Sequence, residues 1–248
     1  MSVLAVYQSK GGVGKTATAV NLAYQAGLEV PTLLVDLDPQ SAATYYFRIK
    51  PNFAPGAKGI AKGKTSAWKH VRGTDYAGLD LLPAETSFRK LDTKLAKEEK
   101  STTRLKAFLK PFRKDYEVII LDCPPSLSVL AENIFEACDG LIVPIVPTTL
   151  AARTFEQLNQ FLGKRTYSGL KVMPFFSMVD RRRKLHKEIV TSLSTGDARF
   201  LENQILNSSV VERMGVERRP VSDFAPRSAA ANSYRLLWQE VAQRMSNE

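Results

Sequence analysis

Ser9-Lys10-Gly11-Gly12-Val13-Gly14-Lys15-Thr16 stands between a short apolar run, Val3-Leu4-Ala5-Val6-Tyr7, and a helical pattern carried by Ala17, Val20, Leu22 and Ala23. A strand that turns through glycines into a helix presents consecutive backbone N–H groups, backed by the positive end of the helix dipole. That surface suits an anion. Lys15 adds a cation that can reach the β and γ phosphates of a nucleotide, and the Thr16 hydroxyl can take a place beside Mg²⁺. Lys10, Gly11, Gly12, Val13, Gly14, Lys15, Thr16 and Ala17 are therefore the expected nucleotide contacts.

Further along, Thr32-Leu33-Leu34-Val35 is a second apolar run, closed by Asp36-Leu37-Asp38-Pro39, where proline ends ladder pairing. Further runs at 79–82, 118–121, 141–146 and 172–176 are also apolar, apart from Asp80, as strands buried on both faces are. Helical patterns at 87–112, 126–137, 150–164, 181–193 and 228–245 separate or follow them. The alternation predicts an α/β fold, a doubly wound and mostly parallel sheet flanked by helices. All of 1–248 reads as a single domain. Residues 51–78, carrying Gly56, Gly59, Gly63 and Gly73 among many lysines, read as loop with at most one short helix near 65–71.

In a parallel sheet Asp36, Asp38 and Asp122 all fall at the carboxyl edge beside the glycine loop, so three carboxylates converge where a metal and a γ-phosphate would sit. Cys123 and Cys138 lie in apolar segments without partners at metal-ligand spacing and read as buried small hydrophobes. His70 and His186 lie among basic and polar residues and read as exposed.

A phosphate loop of the general form G-x-x-x-x-G-K-[ST] has glycine where this chain has Ser9, and here Lys10 opens the turn. That variant, K-G-G-x-G-K-[ST], resembles the deviant Walker A loop of the ParA/MinD family of P-loop ATPases. Val35-Asp36-Leu37-Asp38-Pro39-Gln40 and Ile120-Leu121-Asp122-Cys123-Pro124-Pro125 are similar to that family's acidic motifs. Gly215 to Val221 and the stretch from Pro226 to Tyr234 resemble its ParA branch. The resemblance implies an ATPase that dimerises around ATP and Mg²⁺ and turns over slowly until a partner protein stimulates it. It makes Lys10, Lys15 and Asp38 the catalytic residues. Lys10 would reach the phosphates bound by the partner subunit, and Asp38 would position the attacking water. Thr16, Asp36 and Asp122 would hold the hydrated Mg²⁺, while Pro147-Thr148, Met178 and Asp180 would frame the adenine.

The chain carries a formal charge of +10, and a polyanionic partner fits it. The resemblance implies nonspecific DNA, contacted through Arg213, Arg218, Arg219, Arg227 and Arg235, by a protein in the cytoplasm that associates with the nucleoid when ATP-bound. The charge, however, is concentrated elsewhere: residues 48–114 hold 17 Lys and Arg against 6 Asp and Glu. Lys58, Lys62, Lys64, Lys69 and Arg72 are thus a second candidate DNA path. The competing reading is a membrane-associated spatial regulator like MinD, which ends in a basic amphipathic helix. Here Leu236, Leu237, Trp238, Val241 and Met245 form an apolar stripe, but Glu240 and the terminal Asn247-Glu248 sit poorly against anionic lipid. A core helix is the expectation, and no membrane partner is expected.

Overall fold

The computed structural model describes residues 1–248 except Lys64, Lys100, Asn247 and Glu248 and the side chains of Thr65 and Ser66. The readings of Lys64 as a DNA contact and of the last two residues against lipid fall outside the described residues. Strands β1 (Ser2–Val6), β2 (Thr32–Asp36), β3 (Arg72–Gly73), β4 (Leu79–Leu82), β5 (Val118–Asp122), β6 (Gly140–Ile145) and β7 (Lys171–Phe176) form one seven-stranded sheet. Its order is β3-β4-β2-β5-β1-β6-β7, and only β3 is antiparallel to its neighbour. The two-residue edge strand β3 was absent from the sequence expectation, because Arg72 and Gly73 are both exposed and carry no apolar signal.

Helices cover both faces. α1 (Lys15–Gly27) and α2 (Ala42–Tyr46) lie on one side. The opposite side takes α3 (Gly56–Ala61), α4 (Leu91–Leu95), α5 (Arg104–Leu109), α6 (Val129–Ala137), α7 (Thr149–Gly163) and α8 (Lys184–Ser194). The chain then returns to the first side with α9 (Ser209–Glu212), α10 (Met214–Glu217), α11 (Val221–Phe224) and α12 (Ala229–Ser246). The apolar strands feed the two cores alternately: Val3, Ala5 and Tyr7 point into one, Leu4 and Val6 into the other.

Two helical expectations need correction. The span 87–112 breaks into a 3₁₀ turn (Thr86–Lys90), α4, α5 and a second 3₁₀ turn (Lys110–Lys114). The apolar pattern lapses between Leu95 and Leu105, and the Asn133 amide takes over the exposed backbone there: it donates to the Ser101 carbonyl at 2.6 Å and accepts from the Leu105 N–H at 3.1 Å. The span 51–78 carries α3, a 3₁₀ turn (Thr65–His70) and β3. α12 follows its pattern closely, burying Leu237, Trp238 and Val241 in the core it shares with α1. Among the described residues no helix is long and apolar enough to cross a membrane.

Candidate nucleotide-binding site

Between β1 and α1 the backbone enters the left-handed region twice, at Gly12 (φ 70°) and Gly14 (φ 89°). Those two positions require glycine for different reasons. A Cβ on Gly12 would meet nothing within 4 Å, so only the dihedral excludes side chains; one on Gly14 would also lie 3.0 Å from the Ser177 hydroxyl. Gly11 has neither restriction within this chain. Gly14→Ala is therefore expected to cost ~1–3 kcal/mol by chemical denaturation and Gly11→Ala close to nothing. A large stability loss for Gly11→Ala would show that the loop conformation has been misread.

The loop delivers Lys15 to a buried position at the first turn of α1, whose opening turn carries no acidic residue. Its Nζ donates to the Lys10 carbonyl at 3.0 Å. Burial holds the ammonium pKa below the usual lysine value, and the neighbouring Asp122 and Asp38 only partly oppose this. The side chain thus keeps a charge inside the protein with a carbonyl for company, an arrangement that an anion in the loop would stabilise.

The carboxylates lie next to it because of strand register. Asp36 and Asp122 are paired across β2 and β5, and Asp122 pairs with Val6 of β1, immediately before the loop. Both aspartates are fully buried, yet they differ in what surrounds them. Asp36 accepts from the Thr44 N–H (2.8 Å) and hydroxyl (2.7 Å) and from the Asp38 N–H (3.1 Å), and burial still pushes its carboxyl up to about 6. Neither oxygen of Asp122 has a hydrogen-bond partner among the described residues. Burial and then the neighbouring charge of Asp36 raise its carboxyl well above the ordinary range; the facing Thr16 hydroxyl draws the other way without full hydrogen-bond geometry. Of the two carboxylates expected around a metal, Asp122 is the unsatisfied one, and Asp36 is already engaged by three donors. Asp38 is half-buried and caps the following turn through the Gln40 N–H at 2.9 Å.

Two clefts flank the loop. One, about 290 Å³, is lined by Lys10, Gly12, Val13, Thr148, Met178 and Asp180 among others; the second, about 180 Å³, by Gly14, Ala17, Tyr46, Ser177, Met178 and Asn207 among others. Met178, at φ 55°, borders both. Of the Pro147-Thr148 pair expected at the adenine, Pro147 is buried, and Thr148 lines the larger cleft while capping α7. Asp180 is held by the Arg182 guanidinium (3.0 and 3.1 Å), which keeps its carboxyl low, at about 2. His186 is buried, against expectation, because its Nδ1 accepts the Asp180 N–H at 3.1 Å and fixes the start of α8. His70 is half-buried against Phe53. Asn207 and Ser177 were not singled out in the sequence, and His186 was read there only as exposed; they follow no motif and reach the clefts through the path of the chain after β7.

Of the arginines expected to meet DNA, Arg213, Arg218, Arg219 and Arg227 lie in the loops and short helices before α12, and Arg235 lies within α12. Arg213 pairs with Glu217, and Arg219 with Glu217 (3.2 Å) and Asp223 (3.3 Å). Arg218, left-handed at φ 52°, stacks 4.2 Å over the Tyr45 ring and donates to the Tyr45 carbonyl. Arg235 bonds Asn232 and Gln239. Arg227 is exposed and, among the described residues, has no hydrogen bond or ion pair.

A central parallel strand that runs through a glycine turn onto a helix, with strand-end carboxylates to one side, makes this a P-loop nucleotide-binding protein. Comparison with known proteins narrows the class. Residues 1–169 match the family described as an AAA domain. The chain is 32% identical to the chromosome-partitioning ATPase Soj of Treponema pallidum, with 97% of each chain covered, and 28% identical to the sporulation initiation inhibitor protein Soj of Bacillus subtilis, with 97% and 98% covered. In three dimensions it resembles a putative plasmid partition protein from Borrelia burgdorferi bound to AMPPNP, at a TM-score of 0.85 and 22% identity over 98% and 99% of the chains. It is also similar to a cobyrinic acid a,c-diamide synthase from Mycobacterium smegmatis with bound ATP analogue and magnesium, at 0.84 and 26% over 100% and 96%. The chain belongs to the ParA family of partitioning P-loop ATPases.

Proposed function

We propose that this chain is a single-domain ATPase switch: it binds ATP with Mg²⁺, pairs with a second copy, holds nonspecific DNA in that state, and releases it on hydrolysis to position DNA or another cargo. The observation that carries the reading is the pair Lys15 and Asp122, a buried cation and a buried carboxylate left with one carbonyl partner between them at the mouth of the glycine loop. Unsatisfied buried charge is costly in a free protein and is retained where a ligand satisfies it.

In this scheme the N–H groups of residues 11–16 and the Lys15 ammonium hold the phosphates. Asp122 and the Thr16 hydroxyl, with Asp36 behind them, face a hydrated Mg²⁺, which when bound neutralises charge on the phosphate oxygens. Thr44 and the Asp38 N–H fix the Asp36 carboxylate, and Asp38 orients the attacking water. Phosphoryl transfer asks mainly for positioning and charge neutralisation, so a slow basal rate that a partner protein accelerates is in keeping with the site. Lys10, half-buried at the rim of the larger cleft, supplies the second cation, to the nucleotide of the opposite subunit. Open space over Gly11 leaves room for that contact. Met178, Thr148 and Asp180 border the base. The cytoplasm, with nucleoid association in the ATP state, is the corresponding location.

Retention on random-sequence duplex is the test, measured with ATP, with ADP and without nucleotide. Binding is expected with ATP and Mg²⁺ and to be at least ~10-fold weaker in the other two states, since a useful switch needs more than ~1.4 kcal/mol of coupling. Equal binding in all three states ends the switch. The MinD-like alternative has less support, because Leu237, Trp238 and Val241 of the α12 stripe that would meet lipid are buried in the core and Met245 packs against it.

A further inference from the structure

The two cationic regions lie on opposite faces of the sheet. Phe53, Ala57, Ile60, Phe108 and Phe112, which anchor the lysine-rich segment, belong to one core; Met214, Val221, Tyr234 and Leu237, which anchor the arginine segment, belong to the other. One duplex laid along a face of the monomer meets one set and misses the other.

How the charges are used differs as well. Of the five C-terminal arginines, Arg213 and Arg219 are neutralised by Glu217 and Asp223, and Arg218 and Arg235 are engaged by local acceptors. In residues 48–114 the carboxylates are spent internally. Asp75 pairs with Arg48 and Glu98 with Arg104. Asp80 accepts from the Tyr116 hydroxyl, Glu85 from the Ser87 N–H and Asp92 from the Leu130 N–H. Among the described residues that leaves Glu99 as the one acid of the segment without such a duty, in a stretch that holds 17 Lys and Arg. Lys58, Lys62, Lys69, Lys106 and Lys110 are exposed, and among the described residues none forms an ion pair.

These lysines come from elements packed together as one lobe. A methyl on Gly63, next to Lys62, would lie 3.5 Å from the Ala107 Cβ, next to Lys106. Phe53 joins His70 and Phe108 edge to face, and Trp68 packs on Phe112 beside Lys110. Burial first, and then the nearby charges of Arg72 and Lys69, hold the His70 imidazole below its ordinary pKa.

We propose that the lysine face formed by α3, α5 and the 3₁₀ turns at Thr65–His70 and Lys110–Lys114 is the surface that contacts the DNA backbone, in place of the C-terminal arginines. It rests on the reading of the chain as a DNA-binding switch. Compact ammonium groups without carboxylate partners suit phosphates read for charge alone: each contact releases counterions, and affinity carries no base preference.

The test compares wild type with K58Q/K62Q/K106Q/K110Q and with R227Q/R235Q, each with ATP and Mg²⁺ on random-sequence duplex, from roughly 50 to 200 mM salt. The lysine variant is expected to lose affinity by on the order of 10²-fold at the low-salt end and to show a log K against log salt slope shallower by about 3 to 4. The arginine variant is expected to stay within ~3-fold of wild type. Calorimetric ATP binding should be the same in all three proteins. Unchanged affinity and slope in the lysine variant, with wild type still binding, overturns the assignment and leaves the switch standing. Nucleotide-independent binding that the lysine variant loses supports the surface while the switch falls; a wild type that binds no DNA in any state sinks both.

Discussion

Lys15→Ala is expected to abolish ATP-dependent DNA retention, whereas Asp38→Ala is expected to keep it and to make it persist. The two residues lie close together but do different work. Lys15 is buried, its Nζ rests on the Lys10 carbonyl, and the nearby Asp122 and Asp38 offset its burial only in part, so a phosphate in the loop adds the missing counter-charge. Removing one partner of a buried, hydrogen-bonded charge pair costs roughly 2–5 kcal/mol, which lowers ATP affinity by on the order of 10²–10³-fold. Asp38 is half-buried, and among the described residues its carboxylate accepts only from the Gln40 N–H, so its loss leaves the phosphate contacts intact. What disappears is the group that orients water, worth roughly 10²–10⁴ in rate. Calorimetry with ATP and Mg²⁺, a phosphate-release assay and retention on duplex separate the two variants. Loss of ATP binding in Asp38→Ala, or wild-type hydrolysis in it, contradicts the role given to that carboxylate.

The phosphate loop and its acidic neighbours were legible because their chemistry is local. Glycines at 11, 12 and 14 followed by Lys15-Thr16 fix a backbone and a cation within eight residues, and an apolar run ending in aspartate marks the carboxyl edge of a parallel strand. Register did the rest, setting Asp36 opposite Asp122. What stayed hidden depends on contacts between distant segments. Asn133 dividing the helical span at 87–112 acts over some thirty residues, and no pattern in the span itself announces it. His186 looked exposed because its neighbours are charged, yet one hydrogen bond from the Asp180 backbone turns it inward. The same limit governs the arginines: five of them near the C-terminus read as a surface, but their partners Glu217, Asp223 and Tyr45 emerge only when the chain is folded. Counting charges by segment pointed to the lysine lobe, and folding put it on the face opposite the arginines.

Asp122→Asn is expected to make the nucleotide-free protein more stable while destroying its response to Mg²⁺ and ATP. In the free protein the Asp122 carboxyl is fully buried, lacks a hydrogen-bond partner and lies beside Asp36, itself buried. The resulting penalty is bounded by the cost of protonating the group, about 1.4 kcal/mol for each pH unit above its unfolded pKa near 4, hence at most roughly 4 kcal/mol at pH 7. Asparagine keeps the shape and removes the charge, so a gain of about 2 kcal/mol is expected, or ~4–8 °C in Tm for a chain of this size. The pH trend gives an independent check. Carboxyls raised in the folded state, Asp36 to about 6 and Asp122 in the same direction, bind protons more readily folded than unfolded. Free wild-type protein should therefore gain stability from these two groups as pH falls from above 6 towards 4, with a smaller gain in Asp122→Asn. Binding of Mg²⁺ with ATP runs the other way, weakening over that window because the carboxylate must be deprotonated to face a hydrated cation. Asp122→Asn that melts lower than wild type, or that retains Mg²⁺-dependent hydrolysis, removes the basis for reading this buried charge as one kept for its ligand.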